Sequence, residues 1–207
     1  MLPIRTLLAA LLLAGLAACA GGMPPVTSGS LPTPEANAGT AITVNRVQDG
    51  KFLSFVGPRT QHDPLFLGVP GTNYDGLRTL LDTRTGETAS QLFVEDSYAG
   101  AKRDWSEAQD EKGQKLRFIP IRSDEITCDN GCSYAEEFAA ALPEPLLRAS
   151  TKGLMVTFVA KSGAHTVIQV PGPQVAAQLA AVDNAKKSLA AQAAAPGPAA
   201  PPPPPAK

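Results

Sequence analysis

The order of apolar and polar residues divides the chain into one short apolar block, a long stretch of two-residue alternation and a final helical stripe. The block runs from Leu7 to Ala18. Arg5 is the only charge ahead of it, and Gly21, Gly22, Pro24 and Pro25 stop it. Crossing ~30 Å of hydrocarbon takes roughly 20 apolar residues. This block has about a dozen, the length of the apolar region of a secretory signal behind a positive start. The alternation begins with Ile42-Thr43-Val44 and Val47, which read as a strand. Asp49-Gly50 reads as a turn, and Phe52, Leu53, Phe55 and Val56 as the returning strand. Leu77 to Asp82 and Thr88 to Glu95 form the clearest hairpin, closed by Thr83-Arg84-Thr85-Gly86. Leu92 and Val94 share one face and Phe93 takes the other, so both faces are expected to be covered. From Lys115 to Ile121, Leu116 and Phe118 oppose Arg117, Ile119 and Ile121. Leu154, Val156 and Phe158 line one face of a last hairpin, with His165 to Val170 as its second strand. After Gly172-Pro173 the period changes: Val175, Leu179, Val182 and Leu189 recur as the stripe of a helix that packs on the sheet.

Between these elements the pattern predicts lesser features. Pro143 to Lys152 reads as a short helix with proline in its first turn, Lys152 in its last and Gly153 as its C′ cap. Leu65-Phe66-Leu67 reads as a short edge strand among Pro58, Pro64, Gly68, Pro70 and Gly71. Residues 103–111 read as one or two helical turns. They hold Trp105, the lone tryptophan, taken as a core anchor with its N–H satisfied rather than as a ligand platform. The expected fold is mainly β (α+β): an antiparallel sheet or sandwich of hairpins with one short helix and a C-terminal amphipathic helix. The expected divisions are 1–18, a signal segment; 19–40, a tether; 41–189, the globular domain; and 190–207, an Ala/Pro-rich tail. The tether is Gly, Pro, Ser, Thr and Ala with Glu35 its only charge, a composition that cannot offset the entropy of ordering. The tail holds five consecutive prolines, Pro201 to Pro205, and suits polyproline II.

Charge narrows the partners. Lys and Arg number 18 against 19 Asp and Glu. No basic run exceeds two residues and no basic face interleaves with aromatics, so a nucleic-acid partner is not expected. Three cysteines are present, Cys19, Cys128 and Cys132. Cys128 and Cys132 flank Asp129-Asn130-Gly131, which fits a three-residue hairpin loop with Gly131 in the left-handed region. Cross-strand Cα atoms about 4.5–5.5 Å apart lie within disulfide range. A redox dithiol is the weaker reading, because those use Cys-x-x-Cys at a helix start.

Leu16-Ala17-Ala18-Cys19 resembles the lipobox of bacterial lipoprotein precursors: a branched apolar residue, two small residues and a cysteine, closing an apolar segment of signal length. The resemblance covers about nineteen residues. It implies diacylglyceryl transfer to the Cys19 sulfur, cleavage before Cys19 by signal peptidase II and acylation of the new amino group. Ala20, where an aspartate would retain the protein, implies sorting to the outer membrane, facing the periplasm. An oxidising compartment would then suit a Cys128–Cys132 disulfide. An ordinary secretory signal, cut at Ala-x-Ala near residues 18–20, is the alternative. The globular part resembles uncharacterised proteobacterial envelope lipoproteins, which implies no activity. Membrane attachment through Cys19 is thus the expected partnership, with an envelope protein or peptidoglycan as the further partner. Lys207 matches the terminal lysine by which the murein lipoprotein family joins peptidoglycan. The helical heptads of that family are absent, and the Pro-rich approach departs from its pattern.

Catalytic signals are weak. Gly71 and Gly76 have phosphate-loop spacing but lack the following Lys and Ser/Thr, and read as a turn. No Gly-x-Ser-x-Gly or His-Glu-x-x-His occurs. The histidines are His62, beside Asp63 in a Pro-flanked loop, and His165 at a strand start. Glu136 and Glu137 would point to opposite faces of one strand, one solvated and one paired across to Arg122. No catalytic, cofactor or metal site is expected. The sequence reads as a non-catalytic binding, assembly or structural envelope component; the alternative is a periplasmic hydrolase with its site in loops 57–76 or 97–113.

Overall fold

The computed structural model describes residues 39–194. The signal segment, Cys19, nearly all of the expected tether and the Pro-rich run with Lys207 lie outside the described residues. The elements are β1 (Thr43–Val47), β2 (Phe52–Val56), β3 (Thr60–Gln61), β4 (Tyr74–Asp82), β5 (Thr88–Ala99), β6 (Trp105–Asp110), β7 (Lys115–Leu116), β8 (Phe118–Thr127), β9 (Ser133–Leu142), α1 (Glu144–Ala149), β10 (Gly153–Ala160), β11 (His165–Pro171) and α2 (Gly172–Ala194). They form a mainly β fold of two antiparallel sheets with one short helix and a C-terminal helix, as the pattern predicts. The larger sheet runs β1-β2-β4-β5-β9-β8 with β3 beside β4; the smaller runs β11-β10-β6-β7.

One face of the larger sheet carries the core. Register places Phe55, Thr79, Leu77, Leu92, Val94, Phe138 and Ala140 on that face. The smaller sheet covers its β5–β9 half with Trp105, Leu154, Val156, Phe158 and Ile168. Helix α2 covers the β2–β4 half, where Val182 meets Phe55 and Leu81. Phe138 stacks near Phe118 and meets Trp105 and Phe158 at centroid distances of 5.2 and 4.9 Å. Such rings bury the largest apolar areas and add specific pair energies. Gln178 is the polar exception under α2: its Nε2 donates to the Phe55 carbonyl and to Thr79 Oγ1. Gly172, at the joint between β11 and α2, is required by space, because a Cβ there would stand 2.5 Å from the Thr151 carbonyl oxygen.

Several expectations need correction. Residues 105–110 are a strand, not helical turns: β6 finds hydrogen-bonding partners in β10 and β7, and pairing overrides the helix-favouring Glu, Ala and Gln. Leu65-Phe66-Leu67 is no strand; Phe66–Gly68 is a single 3₁₀ turn with Leu67 at φ 50°. Lys115 to Ile121 is not one strand either. The chain leaves the smaller sheet after Leu116 and enters the larger at Phe118, and the register of β8 slips between Pro120 and Arg122, where proline cannot donate to the ladder. Helix α1 ends at Ala149, and Gly153 opens β10 rather than capping it. Helix α2 runs five residues past the expected boundary at 189, through alanines of high helix propensity. Phe93 lies on the outer face, covered by Tyr74 and Arg78 rather than by another layer. No described helix is long and apolar enough to cross a membrane.

Candidate functional site

At one end of the sandwich the core face turns polar. Asp75 on β4, Asp96 on β5 and Glu136 on β9 occupy inward positions two residues from Leu77, Val94 and Phe138, and all three are buried. Asp96 and Glu136 are direct cross-strand partners. Two carboxylates so placed repel unless donors surround them, and donors do. Arg103 Nη1 donates to both Asp96 oxygens at 2.9 and 2.8 Å, and Trp105 Nε1 donates to Oδ2 at 2.8 Å. The Tyr98 hydroxyl donates to Glu136 Oε2 at 2.6 Å and accepts from the Arg103 backbone N–H; Ser123 Oγ donates to Glu136 Oε1. Burial, with the Glu136 carboxylate beside it, pushes the Tyr98 hydroxyl well above its ordinary value. The Arg103 guanidinium lies over the Tyr98 ring, 4.1 Å from its centroid.

Beside this cluster opens a cleft of about 420 Å³ lined by Trp105, Phe118, Arg122, Ser123, Glu136 and Lys161 among others. Its floor is aromatic and its rim charged. Arg122 Nη2 pairs with Glu137 at 3.0 Å, so the expected cross-strand ion pair forms there. Glu136 is not the solvated member of the couple: it faces inward and is buried.

The same end carries an irregular loop, residues 62–73. Its stem is closed by His62 N–H donating to the Asn73 carbonyl at 3.1 Å. Asn73 sits at φ 57°. Its Nδ2 donates to the Pro64 carbonyl, its Oδ1 accepts from Ser97 N–H, and its own N–H donates to Glu95, which also accepts from Ser97 Oγ. Thr72 Oγ1 fastens the tip through the Val69 carbonyl and Phe66 N–H. This buried scaffold presents Leu65, Leu67 and Val69 to solvent, Leu67 at 84% exposure. Gly71 takes a positive φ in the turn, whereas Gly76 lies within β4, so the two glycines form no common loop.

Cys128 and Cys132 are joined by a disulfide at the tip of the β8–β9 hairpin, at this end of the sheet. The bond lies one residue beyond the last ladder pair, Thr127 and Ser133. Its Cα separation of 3.9 Å is shorter than a ladder pair's, and Gly131 is left-handed at φ 103°. A groove of about 500 Å³ separates this tip from Phe66 and Leu67.

The structure therefore brings together the two loops that the sequence marks for a site, with His62 and Asp63 from one close to Asp96 beside the other. It leaves His165 apart, exposed at the start of β11. His62 Nδ1 lies 3.5 Å from Asp75 Oδ1, yet neither ring nitrogen has a hydrogen-bond partner, so no hydroxyl nucleophile is engaged. Trp105 is the expected core anchor with its N–H satisfied. The inward carboxylates were hidden in sequence because a polar residue near a strand end reads as the point of emergence into solvent. Comparison with known proteins finds no matching family, no matching curated protein and no matching solved structure.

Proposed function

We propose that the protein is a non-catalytic component of the bacterial cell envelope, anchored to the outer membrane by lipid on Cys19 and facing the periplasm. The observation that carries the reading is Leu16-Ala17-Ala18-Cys19 closing an apolar segment of signal length. Two or three acyl chains give durable attachment where one does not. The Cys128–Cys132 disulfide suits the oxidising compartment that export would reach.

The geometry supports an orientation. Strands β1 and β4 both pair antiparallel with β2, so they run the same way, and Thr43 stands level with Arg78. The chain from Cys19 thus joins the domain toward the end that carries the loop 62–73 and the disulfide tip. Leu65, Leu67 and Val69, exposed at that end, are the side chains expected to meet lipid. The cleft at Glu136 has the volume of small-ligand sites and is the place where an envelope ligand would be bound. The reading is tested by growing cells that express the wild type and Cys19→Ala with radiolabelled palmitate and fractionating their membranes. Label in outer-membrane wild type and none in Cys19→Ala is expected; an unlabelled wild type overturns the reading.

A further inference from the structure

We propose that His62, Asp63 and Asp96 bind one divalent transition-metal ion of the zinc class, which clips the stem of the loop 62–73 to strand β5. The proposal stands independently of lipid attachment.

The starting observation is an anomaly. The His62 side chain is only 8% exposed, and both ring nitrogens are buried without a hydrogen-bond partner. Buried polar atoms are bonded in the large majority of cases, and each exception calls for an explanation, an ion among them. A neutral imidazole is the commonest metal ligand among side chains. The second observation is what surrounds the ring. One donor atom from each of His62, Asp63 and Asp96 lies within 4.8 Å of the others. Asp63 is exposed, whereas Asp96 is buried.

The neighbours are arranged as outer partners of a metal site. Asp75 Oδ1, 3.5 Å from Nδ1, is the carboxylate that would accept a hydrogen bond from Nδ1–H and leave Nε2 for the ion. Such histidine–carboxylate couples fix the tautomer and ring orientation of metal ligands. Arg103 and Trp105 hold the Asp96 carboxylate in place; Oδ2 accepts from both, whereas Oδ1 accepts only from Arg103 and keeps a lone pair to give. The charges also fit. Asp63, Asp75 and Asp96, with Glu136 across the ladder from Asp96, outnumber the one Arg103 guanidinium among them, so the surroundings favour a cation.

Donor type selects the class. One nitrogen and two carboxylate oxygens, with a water completing four, is a zinc-like set at ligand distances of about 2.0–2.2 Å. Calcium and magnesium prefer six or more oxygens or several retained waters. Bonds of that length require the donors to draw together from their present spread. Asp63, on the exposed stem, is the side chain free to close, while His62 and Asp96 are fixed by burial. Adjacent residues on a regular strand point to opposite faces; His62 and Asp63 can converge because the backbone leaves β3 at Gln61.

The test uses the full chain in detergent, stripped with a chelator and titrated calorimetrically with Zn²⁺ alone, then with Co²⁺ followed by visible absorption. One ion per chain is expected, with a raised Tm and a Co²⁺ spectrum of low coordination number. Asp63→Asn, an exposed change that leaves the core intact, and His62→Gln should each weaken binding by at least about tenfold. His165→Gln should leave it unchanged, and excess Mg²⁺ or Ca²⁺ should not compete. Absence of saturable binding near one ion per chain overturns the proposal. So does affinity kept within about twofold in both Asp63→Asn and His62→Gln, or displacement by Ca²⁺.

Discussion

Asn73 holds the loop 62–73 to the sheet, and replacing it separates two energies that the structure superposes there. Strand β4 stops pairing with β5 at Tyr74 and Glu95. The Asn73 side chain then adds a further rung, its Oδ1 accepting from Ser97 N–H at 2.7 Å while Nδ2 donates to the Pro64 carbonyl at 2.7 Å. Asn73→Ala removes both bonds. The Pro64 carbonyl can turn to water, but Ser97 is buried, and an orphaned buried N–H costs roughly 1–3 kcal/mol. Alanine must also hold the left-handed φ of 57° that asparagine tolerates, adding about 1 kcal/mol. The expected loss is therefore about 2–4 kcal/mol, a large share of the stability of an ordinary domain. Asn73→Gly keeps the conformation free of strain and loses only the hydrogen bonds, so it should be less destabilised by about 1 kcal/mol. Urea unfolding followed through the lone Trp105 measures both, and hydrogen exchange at the Ser97 amide locates the effect. The reasoning fails if Asn73→Ala stays within about 0.5 kcal/mol of wild type, or if Asn73→Gly is the worse of the two.

Other consequences follow from the same geometry. The disulfide spans a sequence separation of 4, so the loop-entropy relation gives about 2 kcal/mol for Cys132→Ser; equal urea midpoints for oxidised wild type and variant would contradict it. Arg148 hydrogen-bonds Asp183 on α2 and Glu144 on α1 and holds both carboxyls below their ordinary range. A lowered folded-state value means stability present above the unfolded value and lost as pH falls through the folded one. The α1–α2 contact should therefore loosen in acid, beginning near the ordinary values of 4.5 and 3.8. Protection of α2 amides, taken relative to the intrinsic exchange rate at each pH, that is no lower at pH 3 than at pH 6 would argue otherwise. Finally, Leu67→Cys labelled with an environment-sensitive dye should shift to the blue when the anchored protein is placed in vesicles. The same dye at Val167, exposed on β11, should not; identical spectra at the two positions would remove the proposed orientation.

The hairpins were legible because each carries its own alternation and turn. Leu77 to Glu95 and Leu154 to Val170 need only local residues to be read, and the Val175–Leu189 stripe declares a helix by its period. The disulfide followed from Gly131 and the spacing of its cysteines. What could not be read is whatever depends on distant partners. Strand β6 is Trp-Ser-Glu-Ala-Gln-Asp, a sequence without strand character that becomes β by pairing with β10 nearly fifty residues on. The β5–β9 pairing at the centre of the larger sheet joins Tyr98 to Tyr134, which no local pattern connects. The site was hidden for the same reason. Asp75, Asp96 and Glu136 each resemble an exposed acid in sequence, and only the register shows that they continue the inward columns of Leu77, Val94 and Phe138. His62 and Asp63 were visible as neighbours, but Asp96 reaches them only through the fold.

The account rests most heavily on the chemistry at position 19. Intact-mass and peptide mass spectrometry of the protein isolated from its native envelope addresses it directly. The account predicts a chain that begins at Cys19 and carries the added mass of a diacylglyceryl group and an amide-linked acyl chain. A chain that retains residues 1–18, or one whose first residue lies beyond Cys19 with no lipid attached, would contradict it.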